Sequence, residues 1–278
     1  MPAPISLAGV SVAVTGAGRG IGRAIAIRLA SAGARVTIGD IDHETAKAVA
    51  DGLGDAAIAV ALDVTQPEQF AAFLDAAEQH HGPLGVLVNN AGVDWIGPFH
   101  AEPDEVTRRE IEINLYGTAL GTKLALSRML PRQDGHIVNI ASGAGRVPLP
   151  GTSTYSASKH GVVGLTESLR LEYHASGIAF TVVQPAQVET GMIDGQGRPR
   201  ALPIITPEDV AAAVLDAITR QRFEVWVPRS QGVTAKLSAI LPRRAREAAL
   251  RLLGVTKIAG AYDPSARASY HQRAFGRD

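Results

Sequence analysis

The sequence predicts an α/β fold: a single doubly wound domain built on a seven-stranded parallel sheet, plus a helical C-terminal extension. Seven short apolar runs, rich in Val and Ile, recur over the first 228 residues. Such runs suit strands that are covered on both faces. Stretches with helical spacing separate them, and strand–helix–strand repeats require right-handed crossovers into a parallel sheet. Directly after the first run, VTGAGRGIG (14–22) places glycines at 16, 18, 20 and 22. Glycine loses the most backbone entropy on folding, so the run implies a close approach to the backbone at that point.

The elements follow in order. VSVAVT (10–15) reads as a buried strand, followed by a helix from about Ile21 to Ser31. RVTIGD (35–40) is the second strand and HETAKAVADGL the second helix; AAIAVALDV is the third strand. PEQFAAFLDAAEQHH opens with proline, as helices often do, and spaces Phe70, Phe73, Leu74 and Ala77 helically. LGVLVNNAG is a strand ending in a turn, and a long helix is expected from about Asp104 to Leu130. HIVNIAS, IAFTVVQP and FEVWVP complete the strands, with helices at about Tyr155–His174 and Pro207–Thr219 between them. The chain divides into a Rossmann-type domain over 1–228 and a basic, partly helical extension over 229–278.

Composition bounds the function. At 46% hydrophobic and 19% charged, the 278 residues form an ordinary globular chain able to bury a large core. Without cysteine, disulfides and thiolate chemistry are excluded. The opening MPAPISLAGV has neither a basic start nor a long apolar core and does not read as a signal peptide. No apolar run is long enough to span a membrane. These features suit a cytoplasmic protein. The formal charge is zero, yet Arg229–Asp278 carries ten Lys and Arg against three Asp and Glu. The body is therefore acidic, and nucleic-acid binding by it is disfavoured.

The glycine run sits where the first strand meets the first helix. Bare N–H groups and the positive end of the helix dipole can hold a pyrophosphate there. Gly16, Gly20 and Gly22 form a G-x-x-x-G-x-G pattern with Ile21 inside it, not the usual dinucleotide fingerprint. Taken alone, the run also suits a glycine-rich turn in some other α/β protein. Asp40 ends the second strand, where an acid can accept both ribose hydroxyls and repel a 2′-phosphate; this favours NAD over NADP. Arg19, inside the loop, argues the other way. Asp42 reads as a helix cap.

The second constellation is STYSASK, in which Tyr155 and Lys159 stand one helical turn apart on one face. A tyrosine of pKa about 10 cannot act as a base at neutral pH. A nearby ammonium favours the phenolate and lowers that value. Ser142, at the end of the fifth strand, falls at the carboxyl edge of the sheet, where open α/β sheets bind ligands.

Over roughly Leu7 to Pro228 the chain resembles the classical short-chain dehydrogenases/reductases. TGAGRGIG matches the glycine motif, NNAG (89–92) the turn after the fourth strand, and Tyr155-x-x-x-Lys159 the active-site motif. The resemblance implies hydride transfer between nicotinamide and an alcohol or ketone. It casts Tyr155 as acid/base, Ser142 as the group orienting the substrate oxygen, and Lys159 as ribose ligand and depressor of the tyrosine pKa. Asn114 would hold a proton-relay water through its main chain. Gly16, Arg19, Gly20, Ile21, Gly22, Asp40, Asp63, Val64, Asn90, Gly92, Val188 and Thr190 would join Tyr155 and Lys159 around the cofactor, Asp63 at the adenine and Val188 and Thr190 at the nicotinamide amide. Pro185-Ala186 departs from the family's Pro-Gly, which tightens the pocket by one methyl. No metal is implied.

The substrate side is less legible. GMIDGQGRPRALPI (191–204) has the composition of a mobile lid. Met192, Ile193, Leu202, Ile204, Val93, Trp95, Ile96, Val147 and Leu149 are candidates for an apolar wall, with Trp95 equally plausible as core. In the tail, Leu237, Ile240, Leu241, Ala245, Ala248 or Ala249, and Leu252 take helical spacing, with Arg243, Arg244, Arg246 and Arg251 on the polar side. Such a helix can make weak contact with an anionic membrane surface, leaving the protein peripheral there, or can pack on the acidic body or a partner subunit. The expected activity is hydride transfer between NAD(H) and a lipophilic secondary alcohol or its ketone, by a homodimer or homotetramer. An NADP-dependent carbonyl reductase and a non-catalytic NAD-binding regulator are the alternatives. The intact Asn114, Ser142, Tyr155 and Lys159 argue against the regulator.

Overall fold

A computed structural model describes residues 5–193, 204–252 and 264–276. Seven parallel strands, β1 (Ser11–Thr15), β2 (Arg35–Asp40), β3 (Ala57–Ala61), β4 (Leu84–Asn89), β5 (Gly135–Ile140), β6 (Ile178–Pro185) and β7 (Glu224–Val227), form one sheet in the order β3-β2-β1-β4-β5-β6-β7. The crossovers run through α1 (Gly20–Ser31), α2 (His43–Leu53), α3 (Pro67–His81), α4 (Asp104–Ile111), α5 (Gly117–Met129), α6 (Ser153–Glu172) and α7 (Pro207–Arg220). The helices α8 (Arg229–Ile240), α9 (Arg243–Leu252) and α10 (Pro264–Phe275) follow.

Alternation along each strand feeds two cores. On one face Val12, Val14, Val36 and Ile38 pack against Ile25 and Leu29 of α1 and Val210, Val214 and Ile218 of α7. On the other, Ala13, Leu87, Ile137 and Phe180 meet Phe70, Phe73 and Leu74 of α3 and Leu126 and Met129 of α5. Phe70 and Phe73 are fully buried and meet edge to face at 6.0 Å. Each such side chain contributes about 1.5–3 kcal/mol by leaving water. Helix starts are set locally. Thr206 and Asp209 form a capping box ahead of α7, and Asp42 accepts from Thr45 N at the start of α2, the role read for it.

The long helix expected over 104–130 is interrupted. A π-turn over Glu112–Tyr116 joins α4 to α5 and inserts Asn114 into the break. Such bulges re-aim a side chain without ending the helix. The order reverses between β1 and β4, so the loops after these two strands face each other across the switch point, where ligands of open α/β sheets bind.

Candidate active site

The loop after β1 is held by the loop after β4. Thr15 Oγ1 accepts from Asn90 N (3.0 Å) and Ala91 N (3.1 Å), while Asn90 Nδ2 donates to the carbonyls of Thr15 (2.9 Å) and Gly16 (3.0 Å). Asn90 thus positions the glycine loop with its side chain. Gly16 has φ of 63°, and a Cβ there would stand 2.8 Å from Ala91 Cα; a Cβ at Gly22 would stand 2.5 Å from Asn90 Nδ2. The backbones touch because side chains are absent. Past the loop, α1 begins at Gly20 with no side-chain cap and no acid in its first turn. Its free N–H groups and dipole leave a cradle that fits a pyrophosphate. Ile21, half-buried, packs on the core beneath it. Across the cradle, Thr190 lies over Gly20, and Val188 is buried and bridged to Ile205.

Asp40 is buried at the end of β2; its Oδ2 accepts from Gly18 N (2.8 Å) and its Oδ1 from Asp42 N (3.0 Å). Arg19 is tied down elsewhere: its Nη2 reaches Asp42 at 2.5 Å and Thr45 Oγ1 at 3.4 Å. Asp63 has both oxygens engaged, one by Thr65 and the other by Arg109 at 3.0 Å. Burial pushes its carboxyl up, but the bonds from Thr65 and Arg109 outweigh that and hold it below its ordinary value. Val64 is buried beside Gly117 at the start of α5.

The four residues expected to carry the chemistry meet at the carboxyl edge of the sheet. Ser142 follows β5; its Oγ accepts from Ala144 N (3.1 Å), and its hydroxyl favours ionisation of the neighbouring Tyr155. Lys159 Nζ donates to Ile140 O (2.9 Å) and lies 5.7 Å from the Tyr155 ring centroid. Asn114, fully buried in the π-turn, clasps Val93 by accepting from its N and donating to its O, both at 2.8 Å, and donates to Ser158 Oγ (3.1 Å). Its carbonyl accepts from Thr118 Oγ1 at 2.8 Å. Gly92 places its Cα face toward Asn114 Oδ1 and Lys159 Nζ.

The electrostatics depart from the simple expectation that Lys159 lowers the tyrosine. Burial first, then the charge of Asp94, hold the Tyr155 hydroxyl well above its ordinary value, against the influence of the Ser142 hydroxyl. Burial pushes Lys159 down to about 8, although Glu110 and Asp94 favour its charge. Glu110 on α4, fully buried and accepting from Trp95 N (3.1 Å), is pushed up to about 9 by burial and by Asp94. At neutral pH it is a neutral acid.

Asp94, Glu110, Ser158, Arg267 and Tyr270 escaped the sequence reading. Arg267 and Tyr270 lie on α10, which packs on the body: Arg267 pairs with Asp94 at 2.7 Å and Asp94 N donates to Tyr270 Oη at 2.9 Å. Of the wall candidates, Ile96 is fully buried and Trp95 nearly so, its ring packed over Gly97, so both are core. Val93, Val147, Leu149, Met192, Ile193 and Ile204 are half-buried. Leu202 and most of the expected lid lie outside the described residues. Among the described residues, no three His, Asp or Glu are grouped to hold a metal, and no helix is long and apolar enough to cross a membrane.

Comparison with known proteins agrees with this geometry. The family model described as short chain dehydrogenase matches residues 11–200. Epidermal retinol dehydrogenase 2 of Mus musculus is 31% identical over 246 residues, 85% of this chain and 80% of that one. Cis-4-hydroxycyclohexanecarboxylate dehydrogenase of Sinomonas cyclohexanicum is 44% identical over 186 residues, 66% and 74% of the two chains. Among solved structures, a short chain dehydrogenase/reductase from Burkholderia phymatum in complex with NAD superposes with a TM-score of 0.77 at 30% identity, covering 84% of this chain and 94% of that one. A 3-ketoacyl-(acyl-carrier-protein) reductase from Brucella melitensis complexed with NADH gives 0.75 at 29%, covering 80% and 98%. With the glycine cradle and the Tyr155–Lys159 pair in one fold, the chain belongs to the short-chain dehydrogenase family of oxidoreductases.

Proposed function

We propose that the protein is an NAD-dependent dehydrogenase that oxidises a lipophilic secondary alcohol to the ketone, with Tyr155 as the acid/base. The observation that carries the cofactor choice is the buried Asp40 carboxylate against the glycine loop, with Arg19 neutralised by Asp42. The relatives crystallised with NAD and NADH support a nicotinamide dinucleotide. The N–H groups at the start of α1 would hold its pyrophosphate and Asp40 its adenosine ribose. Lys159 would hold the nicotinamide ribose, with Thr190 and the backbone at Val188 on the amide. When bound, NAD supplies the hydride acceptor and a positive charge at the nicotinamide.

Once its own proton has passed to solvent, the Tyr155 phenolate takes the hydroxyl proton of the alcohol as the hydride leaves the carbinol carbon. Ser142 Oγ, anchored by Ala144 N, donates to the substrate oxygen and fixes its carbinol carbon. Lys159, held on Ile140 O, keeps a cation behind the tyrosine until the pH passes about 8. Asn114 fixes the Val93 loop and offers its carbonyl to the relay. Because burial holds Tyr155 protonated in the free protein, oxidation is expected to rise with pH and reduction to fall. Titration of the protein with NADH and NADPH at fixed salt tests the cofactor assignment. NADH should bind at least thirtyfold tighter; equal or tighter NADPH binding overturns it.

The names of two relatives, a retinol dehydrogenase and a cyclohexanecarboxylate dehydrogenase, favour a hydrocarbon-rich alcohol. We place the protein in the cytoplasm as a homodimer or homotetramer, with weak contact between the α8–α9 face and an anionic membrane. Exposed Leu237, Ile240 and Leu252 beside exposed Arg243, Arg244 and Arg251 support that contact. Co-sedimentation with phosphatidylserine vesicles, absent with phosphatidylcholine alone, tests it.

A further inference from the structure

Arg267 is the largest fully buried side chain among the described residues, and it comes from α10. Its Nη2 donates to Asp94 Oδ1 (2.7 Å) and Asp94 O (3.1 Å), its Nη1 to Met192 O (2.6 Å), and its Nε to His271 Nε2 (3.3 Å). The guanidinium carbon stands 4.6 Å from the Tyr270 ring centroid, and Tyr270 Oη accepts from Asp94 N (2.9 Å). One side chain from the C-terminal extension therefore ties the loop after β4 to the segment after β6. The first of these loops runs from Gly92, beside Lys159, to Trp95, held by Glu110. The second is held at Met192, two residues after Thr190, which lies over the cofactor cradle.

A buried ion pair is a poor stability device, because desolvation offsets most of the attraction, and apolar replacement of both partners is often neutral. A fixed position and a fixed charge are what such a pair provides. Here the charge matters, since Asp94 is buried two residues from Gly92, which faces Lys159 Nζ, and its charge favours the protonated Tyr155 hydroxyl. The groups around Asp94 are Tyr155 and Lys159 of α6, Glu110 of α4, and Arg267, Tyr270 and His271 of α10. With Glu110 neutral near pH 7, Arg267 is the cation bonded directly to Asp94.

We propose that Arg267 is a positioning residue of this site, fixing the loops after β4 and β6 and balancing the buried charge of Asp94. The inference rests on the dehydrogenase reading above.

The test uses the full chain carrying Arg267→Met, Arg267→Lys or the pair Asp94→Asn/Arg267→Met. Cyclohexanol oxidation with NAD is followed from pH 6 to 10, with amide exchange at residues 93–96 as a second readout. In Arg267→Met the unbalanced carboxylate should move the acid limb upward by about one pH unit, lower kcat/KM at pH 7 at least tenfold, and speed exchange at 93–96 at least tenfold. The double variant should restore the wild-type pH profile yet keep KM at least threefold high, because the tie to Met192 stays broken. Arg267→Lys should keep the profile and raise KM. Should Arg267→Met fail to fold, the other two variants carry the same test. Wild-type profile, KM and exchange in Arg267→Met overturn the proposal, as does a double variant that retains the shifted profile. Wild-type protein that neither binds NADH nor oxidises any alcohol overturns the dehydrogenase reading instead, and the exchange result then decides the role of Arg267.

Discussion

Replacing Asp40 with Asn isolates the charge on which the cofactor assignment depends. The carboxylate is 7% exposed and accepts from Gly18 N at 2.8 Å and Asp42 N at 3.0 Å. A ribose seated on the glycine loop would meet it at hydrogen-bond range. At ~4 Å and an effective dielectric of ~20, each pair of unit charges costs about 4 kcal/mol before screening. Salt and rearrangement reduce this to roughly 2–4 kcal/mol, or about 30- to 1000-fold against NADPH. Asn keeps the shape and removes that charge, so NADPH should tighten at least tenfold. NADH should weaken about fivefold, because a hydrogen bond to a charged acceptor is stronger than one to a neutral acceptor by about 1 kcal/mol. Asn has one oxygen for the two backbone donors, so Gly18 N or Asp42 N is left facing its NH2 group, and unfolding should come earlier by about 1–3 kcal/mol. Fluorescence titration with both nucleotides reads the affinities and urea unfolding reads the stability. A folded Asp40→Asn whose NADH/NADPH ratio stays within threefold of wild type would refute the placement of the carboxylate at the 2′ position.

His136 is buried with Nε2 at 2.7 Å from Thr181 Oγ1, and burial pushes its pKa down to about 4. The folded state then binds fewer protons than the unfolded state as pH falls from about 6.5 to 4, so stability is lost over that window, about 2 kcal/mol of it between pH 7 and 5. Urea unfolding of His136→Gln should lack that loss; an identical pH slope would count against it. Gly16→Ala forces a left-handed backbone on an L-residue at a cost of about 1–2 kcal/mol, before the 2.8 Å approach to Ala91 is relieved. It should lower the melting temperature and weaken NADH binding at least tenfold, and a variant that binds normally would contradict the cradle.

Much of this architecture was legible because it rests on apolar periodicity and on glycine. The strand Ile178–Pro185 and the helices His43–Leu53 and Pro67–His81 fall where their patterns place them. The π-turn at Glu112–Tyr116 was not legible, since its residues continue the helical pattern and the break is set by Asn114 bonding to Val93 on a distant loop. The extension is helical as its sequence predicts, but the docking of α10 on the body was not legible, for a related reason. Its buried positions are Arg267 and Tyr270, three residues apart, so its inward face reads as polar until Asp94 is seen opposite. Tyr155 and Lys159 were found by spacing, but the balance around them depends on Asp94 and Glu110, buried acids that no local pattern marks. The basic extension likewise divides only in three dimensions, with α10 against the body and Leu237, Ile240 and Leu252 facing outward.

The most direct test of the central claim is Tyr155→Phe, measured for both NADH binding and turnover of cyclohexanol with NAD. The ring is kept and only the hydroxyl is removed. NADH affinity should stay within threefold of wild type while kcat falls at least a thousandfold, about 4 kcal/mol of transition-state stabilisation. A variant that binds NADH normally and still turns over within tenfold of wild type would contradict Tyr155 as the acid/base.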